Sequence, residues 1–235
     1  MGEPDKSIIG EDLRSYGRRH GRKLSPRQAR LLVQDLPRLS LDVASPAPAS
    51  VTDLFPGHVQ DVWLEIGFGG GEHLVWQAER NPTVGMIGCE PFLDGVVKVL
   101  DAVQTRRLDN VRLVADDARP LLRWLPEASI GRAFILFPDP WPKTRHHKRR
   151  LVSAPFLSML ARIMKPGAEL RIATDIGDYA RTTLLAVRDI PAFRWLANGP
   201  SDWRERASDW PVTRYEQKAL AAGRRPVYLR FERRA

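Results

Sequence analysis

The sequence predicts an α/β protein built on a mostly parallel, seven-stranded sheet with helices on both faces. Three observations predict it. From Asp61 onward short apolar runs alternate with segments of helical periodicity. A glycine-rich turn, Gly67 to Gly71, follows the first of these runs directly. Acidic residues end the second, third and fifth runs. In a sheet wound this way ligands bind beyond the carboxyl ends of the strands, so the turn and the acids are expected on one edge.

Each element has its own signal. DVWLEIGF (61–68) is a short apolar strand running into glycines, and EHLVWQAERN (72–81) has helical spacing that stops at Asn81 and Pro82. VGMIGCE (84–90) is the second strand, DGVVKVLDAVQTRR (94–107) the second helix, NVRLVAD (110–116) the third strand and ARPLLRWL (118–125) a short helix. RAFILF (132–137) gives a fourth strand and SAPFLSMLARIM (153–164) a helix; AELRIATD (168–175) is a fifth strand after a Pro166-Gly167 turn. DYARTTLLAVRD (178–189) is a helix, FRWLA (193–197) a strand and PVYLRFERR (226–234) the last one. RRPVYLRFERR alternates basic and apolar residues, the pattern of an edge strand with a positive outer side. No fixed-period repeat is present.

Upstream, ARLLVQDLPRL (29–39) predicts a short helix ending before Pro37, and DVASPAPASVTDLFPG (42–57) reads as a connector. Seven basic residues and no acidic one lie between Arg14 and Arg30. That run is expected to be solvated and mobile in the free protein, and to add affinity for a polyanion rather than chemistry. The expected division is a basic, flexible extension over residues 1–50 and a catalytic domain over 51–235.

The chain has 235 residues, 43% of them hydrophobic, enough for one substantial core. Lys and Arg outnumber Asp and Glu by 37 to 28, a net +9 that favours a polyanionic partner over an acidic small molecule. The single cysteine, Cys89, cannot form an internal disulfide and reads as a buried structural thiol. No apolar run approaches the ~18 residues of a membrane span. MGEPDKSIIGED lacks the order of a signal peptide, and Lys6 stands where myristoylation wants Ser or Thr. A cytoplasmic protein without membrane contact is expected.

LEIGFGGGEH places Gly67, Gly69 and Gly71 between the first strand and its helix, where backbone without Cβ atoms lets a ligand approach. A dinucleotide fingerprint would need a glycine at Glu72, and a carboxylate there repels pyrophosphate. Glu65, just before the glycines, also disfavours phosphate. S-adenosylmethionine (SAM) has no phosphate; it carries a sulfonium, an ammonium and an adenosine, and acids around a glycine loop suit it. Glu90 is placed to accept both ribose hydroxyls and Asp117 to accept from the adenine amino group. A helix cap for Glu65 and exposed loop positions for Glu90 and Asp117 are the alternatives. The reading is a Rossmann-like class I methyltransferase with SAM as cofactor and S-adenosylhomocysteine as product.

After the fourth strand comes FPDPWPKTRHHKRR (137–150), in which Pro138, Pro140 and Pro142 bracket Asp139 and a burst of positive charge follows. Prolines fix φ and remove donors, so this is a stiff loop. LEIGFGGG, GCEP, DDARPLL, FPDPWPKTRHHKRRLV, ATD and TRYEQKAL together resemble the tRNA (guanine-N7-)-methyltransferases, which modify a guanosine in the variable loop; the resemblance spans roughly residues 60–235. Carried over by position, it implies SAM contacts at Glu65, Glu90, Asp117 and Asp139, and tRNA contacts at Lys143, Asp175 and the Thr213–Glu216 segment, including Arg214 and Tyr215. Gly70 departs from the larger residue common in the family, and nothing before Asp61 aligns with a family motif.

Guanine N7 has an in-plane lone pair and no proton, so its attack on a sulfonium methyl needs no general base and positioning dominates. Methylation moves positive charge onto the purine, and Asp139 is the carboxylate expected to stabilise it while accepting from the guanine N1 and N2 donors. Trp141 reads first as a core plug anchoring the loop, and alternatively as a stacking face. Lys143, Arg145, Lys148, Arg149 and Arg150 read as phosphate contacts, with His146 and His147 partly charged near a polyanion. Two adjacent histidines without further ligands make no metal site. Asp175 reads as a guanine acceptor or a helix cap, and Thr213 and Glu216 have capping-box spacing.

Overall fold

Parallel strands need crossover connections, and the helices between the apolar runs supply them. The computed structural model describes Arg19, Gly21 and residues 23–235. The strands are β1 (Asp61–Ile66), β2 (Val84–Cys89), β3 (Val111–Val114), β4 (Ile130–Leu136), β5 (Met164–Thr174), β6 (Phe193–Trp195) and β7 (Val227–Arg233). They form one seven-stranded sheet in the order β3-β2-β1-β4-β5-β7-β6. Strands β1 to β5 pair in parallel; β7 runs antiparallel to both β5 and β6. The order reverses between β1 and β4, so a crevice opens at their carboxyl ends, where α/β sheets bind ligands.

The helices are α1 (Pro26–Gln34), α2 (Leu36–Leu39), α3 (Glu72–Arg80), α4 (Leu93–Arg106), α5 (Ala118–Trp124), α6 (Ala154–Ile163), α7 (Gly177–Arg188), α8 (Ser201–Arg204) and α9 (Arg214–Ala221). Apolar residues of β1, β4 and β5, with Ile87, Cys89 and Val114, pack with α5, α6 and α7 on one face, and Met86, Val111 and Leu113 pack with α3 and α4 on the other. The core is therefore two apolar layers separated by the sheet.

Two details differ from the expectations. The Pro166-Gly167 turn lies inside β5 rather than before it: Ile130 pairs with Met164 but Arg132 with Glu169, and the extra residues bulge out where Gly167 has φ +80°. Strand β7 is not an edge, because β6 pairs along its outer side. Its arginines are accordingly engaged, Arg230 with Glu169 and Arg233 with the Ala161 carbonyl. Helix α1 ends at Gln34, before Pro37 as expected, and Pro37 itself sits in the first turn of the short α2, where its missing N–H costs nothing.

Helix α1 begins with a Ser25 and Gln28 capping box and packs on α4, with Leu31 buried among α4 side chains. Residues 26–30 of the basic run thus belong to this helix, whereas Arg14, Arg18 and Arg22 lie outside the described residues. Arg19 pairs with Asp116 at 2.5 Å, and Leu93 N–H donates to the Arg19 carbonyl. Among the described residues no helix is long and apolar enough to cross a membrane.

Candidate active site

The glycine turn is shaped by its backbone. Gly67, Gly69 and Gly71 have φ of +73°, +56° and +77°, a region that suits glycine. Behind them, the start of α4 comes so close that a Cβ on Gly95 would lie 2.0 Å from the Gly69 carbonyl oxygen. Glu90, at the end of β2, fixes the same turn: its Oε2 accepts from the Gly69 N–H at 2.8 Å and its Oε1 from the Phe92 N–H at 2.9 Å. Burial holds the Glu90 carboxyl above its ordinary value against those two hydrogen bonds.

These elements enclose a cavity of about 470 Å³ at the carboxyl edge of the sheet. Gly67, Gly69, Glu90, Asp117 and Asp139 all line it, as the sequence predicts, together with Ile66, Phe92, Trp141 and Tyr215. Asp117 caps α5, its Oδ1 accepting from Arg119 N–H at 2.8 Å and its Oδ2 from Arg119 Nη1 at 2.6 Å. Asp116 lines the wall beside it. The adjacent acids of the DD pair cannot be told apart without the backbone path. Cys89, also in the wall, is buried as expected, and burial pushes its thiol well up.

The proline loop that follows β4 closes the far side. Phe137 and Trp141 have φ of +52° and +42°, which costs on the order of 1 kcal/mol each for residues with a Cβ. Strain of this kind persists only where surroundings enforce it, and it gathers at functional loops. Asp139 is exposed at the lip, yet partial desolvation by the walls raises its carboxyl above the usual value. Trp141 is not a core plug: it is half-buried on the cavity wall, with the His146 ring edge-on at 5.9 Å and the Arg149 guanidinium over it at 5.0 Å. His146 is pushed down by desolvation and then by Arg149, Arg145 and Lys143.

Several other expectations are corrected. Glu65 does not line the cavity: alternation along β1 turns Ile66 toward it and Glu65 to the opposite face, where Oε2 accepts from His73 Nδ1 at 2.7 Å. Gly71 starts α3 instead of touching the cavity; a Cβ there would meet Val99. Arg150 is buried and does not face solvent phosphate, whereas Arg149 lies in the cavity wall. Lys143, Arg145 and Lys148 are exposed around the 3₁₀ turn Thr144–Arg149. Asp175 neither caps α7 nor lines the cavity; it pairs with Arg224 at 2.5 Å.

A family model described as "Putative methyltransferase" matches residues 59–229. A Rhodospirillum rubrum protein named tRNA (guanine-N(7)-)-methyltransferase is 51% identical over 227 residues, covering 95% of this chain and 89% of its own. A Roseobacter denitrificans protein of the same name is 50% identical, covering 93% of this chain and 95% of its own. The chain belongs to the tRNA (guanine-N(7)-)-methyltransferase family. Among solved structures, the 16S rRNA methyltransferase KamB shares the fold at 17% identity, with a TM-score of 0.54 over 81% of this chain and 96% of that one.

In this family member the TRYE segment is held from below. Thr213 caps α9 by accepting from Glu216 N–H at 3.3 Å, but Glu216 does not complete the capping box. Its Oε1 instead accepts from the Tyr228 hydroxyl at 2.8 Å and Arg206 Nε at 3.1 Å, leaving Oε2 buried without a protein partner. Arg214 bonds the Tyr215 hydroxyl and lies 3.5 Å from Glu72, so Tyr215 is fixed at the cavity wall over Gly69. The approach to α9 is pinned by Arg171 on β5, which donates to both Asp209 oxygens at 2.7 and 2.8 Å. Asp209→Ala is expected to leave that buried guanidinium short of partners and to destabilise the protein by about 1–3 kcal/mol. Thermal unfolding would show this as a fall of roughly 5 °C in Tm. Among the described residues no group of three or more His, Cys, Asp or Glu is arranged to hold a metal ion.

Proposed function

We propose that this family member transfers a methyl group from SAM to N7 of a guanosine in the tRNA variable loop, leaving S-adenosylhomocysteine. The observation that carries the reading is one cavity with Glu90 in its wall and Asp139 on the loop at its lip.

The residues present fit SAM. The glycine turn keeps side chains away from one wall, and a carboxylate has about four lone-pair sites, of which backbone N–H groups use two at Glu90. Glu90 therefore retains acceptor capacity for ribose hydroxyls. Ile66, Phe92 and Leu151 give apolar surface for the adenine. Asp117 remains a candidate acceptor for the adenine amino group, with Asp116 beside it. The cavity volume is that of a site for one small ligand. When bound, SAM supplies an electrophilic methyl on a sulfonium.

The chain's own residues then have to place a purine. Trp141 and Tyr215 offer aromatic faces in the same cavity, each backed by an arginine, a combination suited to an unstacked base. Asp139 accepts from the guanine N1 and N2 donors and stabilises the positive charge that develops on the ring. Lys143, Arg145 and Lys148, exposed beside the cavity, supply phosphate contacts. Arg214, bonded to the Tyr215 hydroxyl at the cavity wall, is a further substrate-side residue in this reading.

The test is incubation with methyl-labelled SAM and unmodified tRNA transcripts, followed by digestion and identification of the labelled nucleoside. Label in 7-methylguanosine that vanishes from a transcript lacking only the variable-loop guanosine is the expected outcome. Label in another nucleoside, or label indifferent to that guanosine, would replace the acceptor.

A further inference from the structure

The acceptor loop has an unusual tethering problem. Pro138, Pro140 and Pro142 have no N–H, so every second residue lacks the donor that ordinarily anchors a loop. Only carbonyls remain at those positions, and a carbonyl can be held only by a donor from elsewhere.

Arg150 supplies it. Its Nε donates to the Pro140 carbonyl at 3.1 Å, one residue after Asp139. Its Nη1 donates to Thr182 Oγ1 at 2.9 Å, and its Nη2 to Asp178 Oδ2 at 2.6 Å and to His147 Nε2 at 3.0 Å. Thr182 and Asp178 are on α7, and the guanidinium lies 5.1 Å over the ring of Tyr179 from the same helix. The side chain is 4% exposed. With its nitrogens committed in four directions and closed off from solvent, it cannot take a phosphate.

We infer that Arg150 is a positioning residue for methyl transfer, binding the carbonyl of Pro140 to α7 so that Asp139 is held at the cavity lip. The inference rests on the role proposed above for Asp139. A planar fork with five N–H donors spans these acceptors at once, and a lysine ammonium does not. Arg150→Lys therefore separates the two possible roles. A phosphate contact keeps its charge in that variant and survives; a tether is lost.

The experiment measures single-turnover rates at saturating tRNA and SAM, together with the Kd of each and the salt dependence of tRNA binding. It uses the full chain carrying Arg150→Lys, Thr182→Val, Asp139→Ala and the Asp139→Ala/Arg150→Lys pair. Arg150→Lys is expected to lower the rate ~10- to 100-fold, the scale of a misplacement of about 1 Å, with both Kd values and the salt slope unchanged. In the Asp139→Ala background the same change should add almost nothing, because the tether has nothing left to position. A purely structural role would lower the rate equally in both backgrounds and would overturn the inference. An unchanged rate in Arg150→Lys would do so too. If Arg150→Lys does not fold, Thr182→Val, which removes one acceptor at constant shape, carries the same comparison with a smaller loss. Wild-type turnover in Asp139→Ala would sink the reading of Asp139, and this inference with it. Loss of rate in Asp139→Ala but in neither tether variant would sink this inference alone.

Discussion

Asp139→Ala is expected to lower the methyl-transfer rate by ~100-fold or more at saturating substrates while leaving SAM affinity within a few-fold of wild type. That is the scale of removing one preorganised electrostatic group from an active site. The loop that carries Asp139 holds strained backbone at Phe137 and Trp141, which persists only because its surroundings fix it, so its carboxylate need not reorganise as charge moves onto the purine. Single-turnover kinetics with a parallel SAM titration would decide it, and a large loss of SAM affinity with normal turnover would reverse the assignment. The pH dependence follows from the same geometry. Desolvation raises the Asp139 carboxyl, and the ionised form is the one that stabilises the developing cation. The rate should therefore fall as pH drops through a value above that of an ordinary aspartate. Asp139→Asn, which has no charge to lose, should show a low rate without that acid limb.

Gly95→Ala should damage the site as severely from the other side. An added Cβ would stand 2.0 Å from the carbonyl oxygen of Gly69, and backbone cannot yield as a flexible side chain can. Either α4 or the glycine turn must shift, and the turn is held by the Glu90 carboxylate that also braces Phe92. Overpacking of this kind costs about 1–3 kcal/mol of stability. The larger expected effect is a ~100-fold loss of SAM affinity, because the turn and Glu90 move together. Calorimetric titration with SAM, alongside thermal unfolding, separates the two costs. A variant that folds normally and binds SAM like wild type would show that the turn is not held by this contact.

The cavity acids divide according to how far sequence spacing reaches. Glu90 and Asp117 are legible because each lies just past the end of a strand, and parallel strands bring such ends to one edge whatever the details. Glu65 was misplaced because the side-chain face of a strand changes with every residue, and nothing in LEIGF says which face the cavity takes. Gly95 was invisible because a glycine in the first turn of a helix has no local demand for flexibility; its reason is the Gly69 carbonyl, distant in the chain.

By itself the sequence determined the alternation of strands and helices, the glycine turn, the acids at strand ends and the proline-locked Asp139, because each depends on periodicity or backbone chemistry within a few residues. Tertiary structure alone decided which charged groups are usable. Arg150 and Arg149 are neighbours in one basic burst, yet one is buried against α7 and the other lines the cavity. Glu216 satisfies a helix-capping spacing but gives its carboxylate to Tyr228 and Arg206. A side chain's role is fixed by its partners in space, and for long charged side chains those partners lie on other elements, beyond the reach of any local pattern.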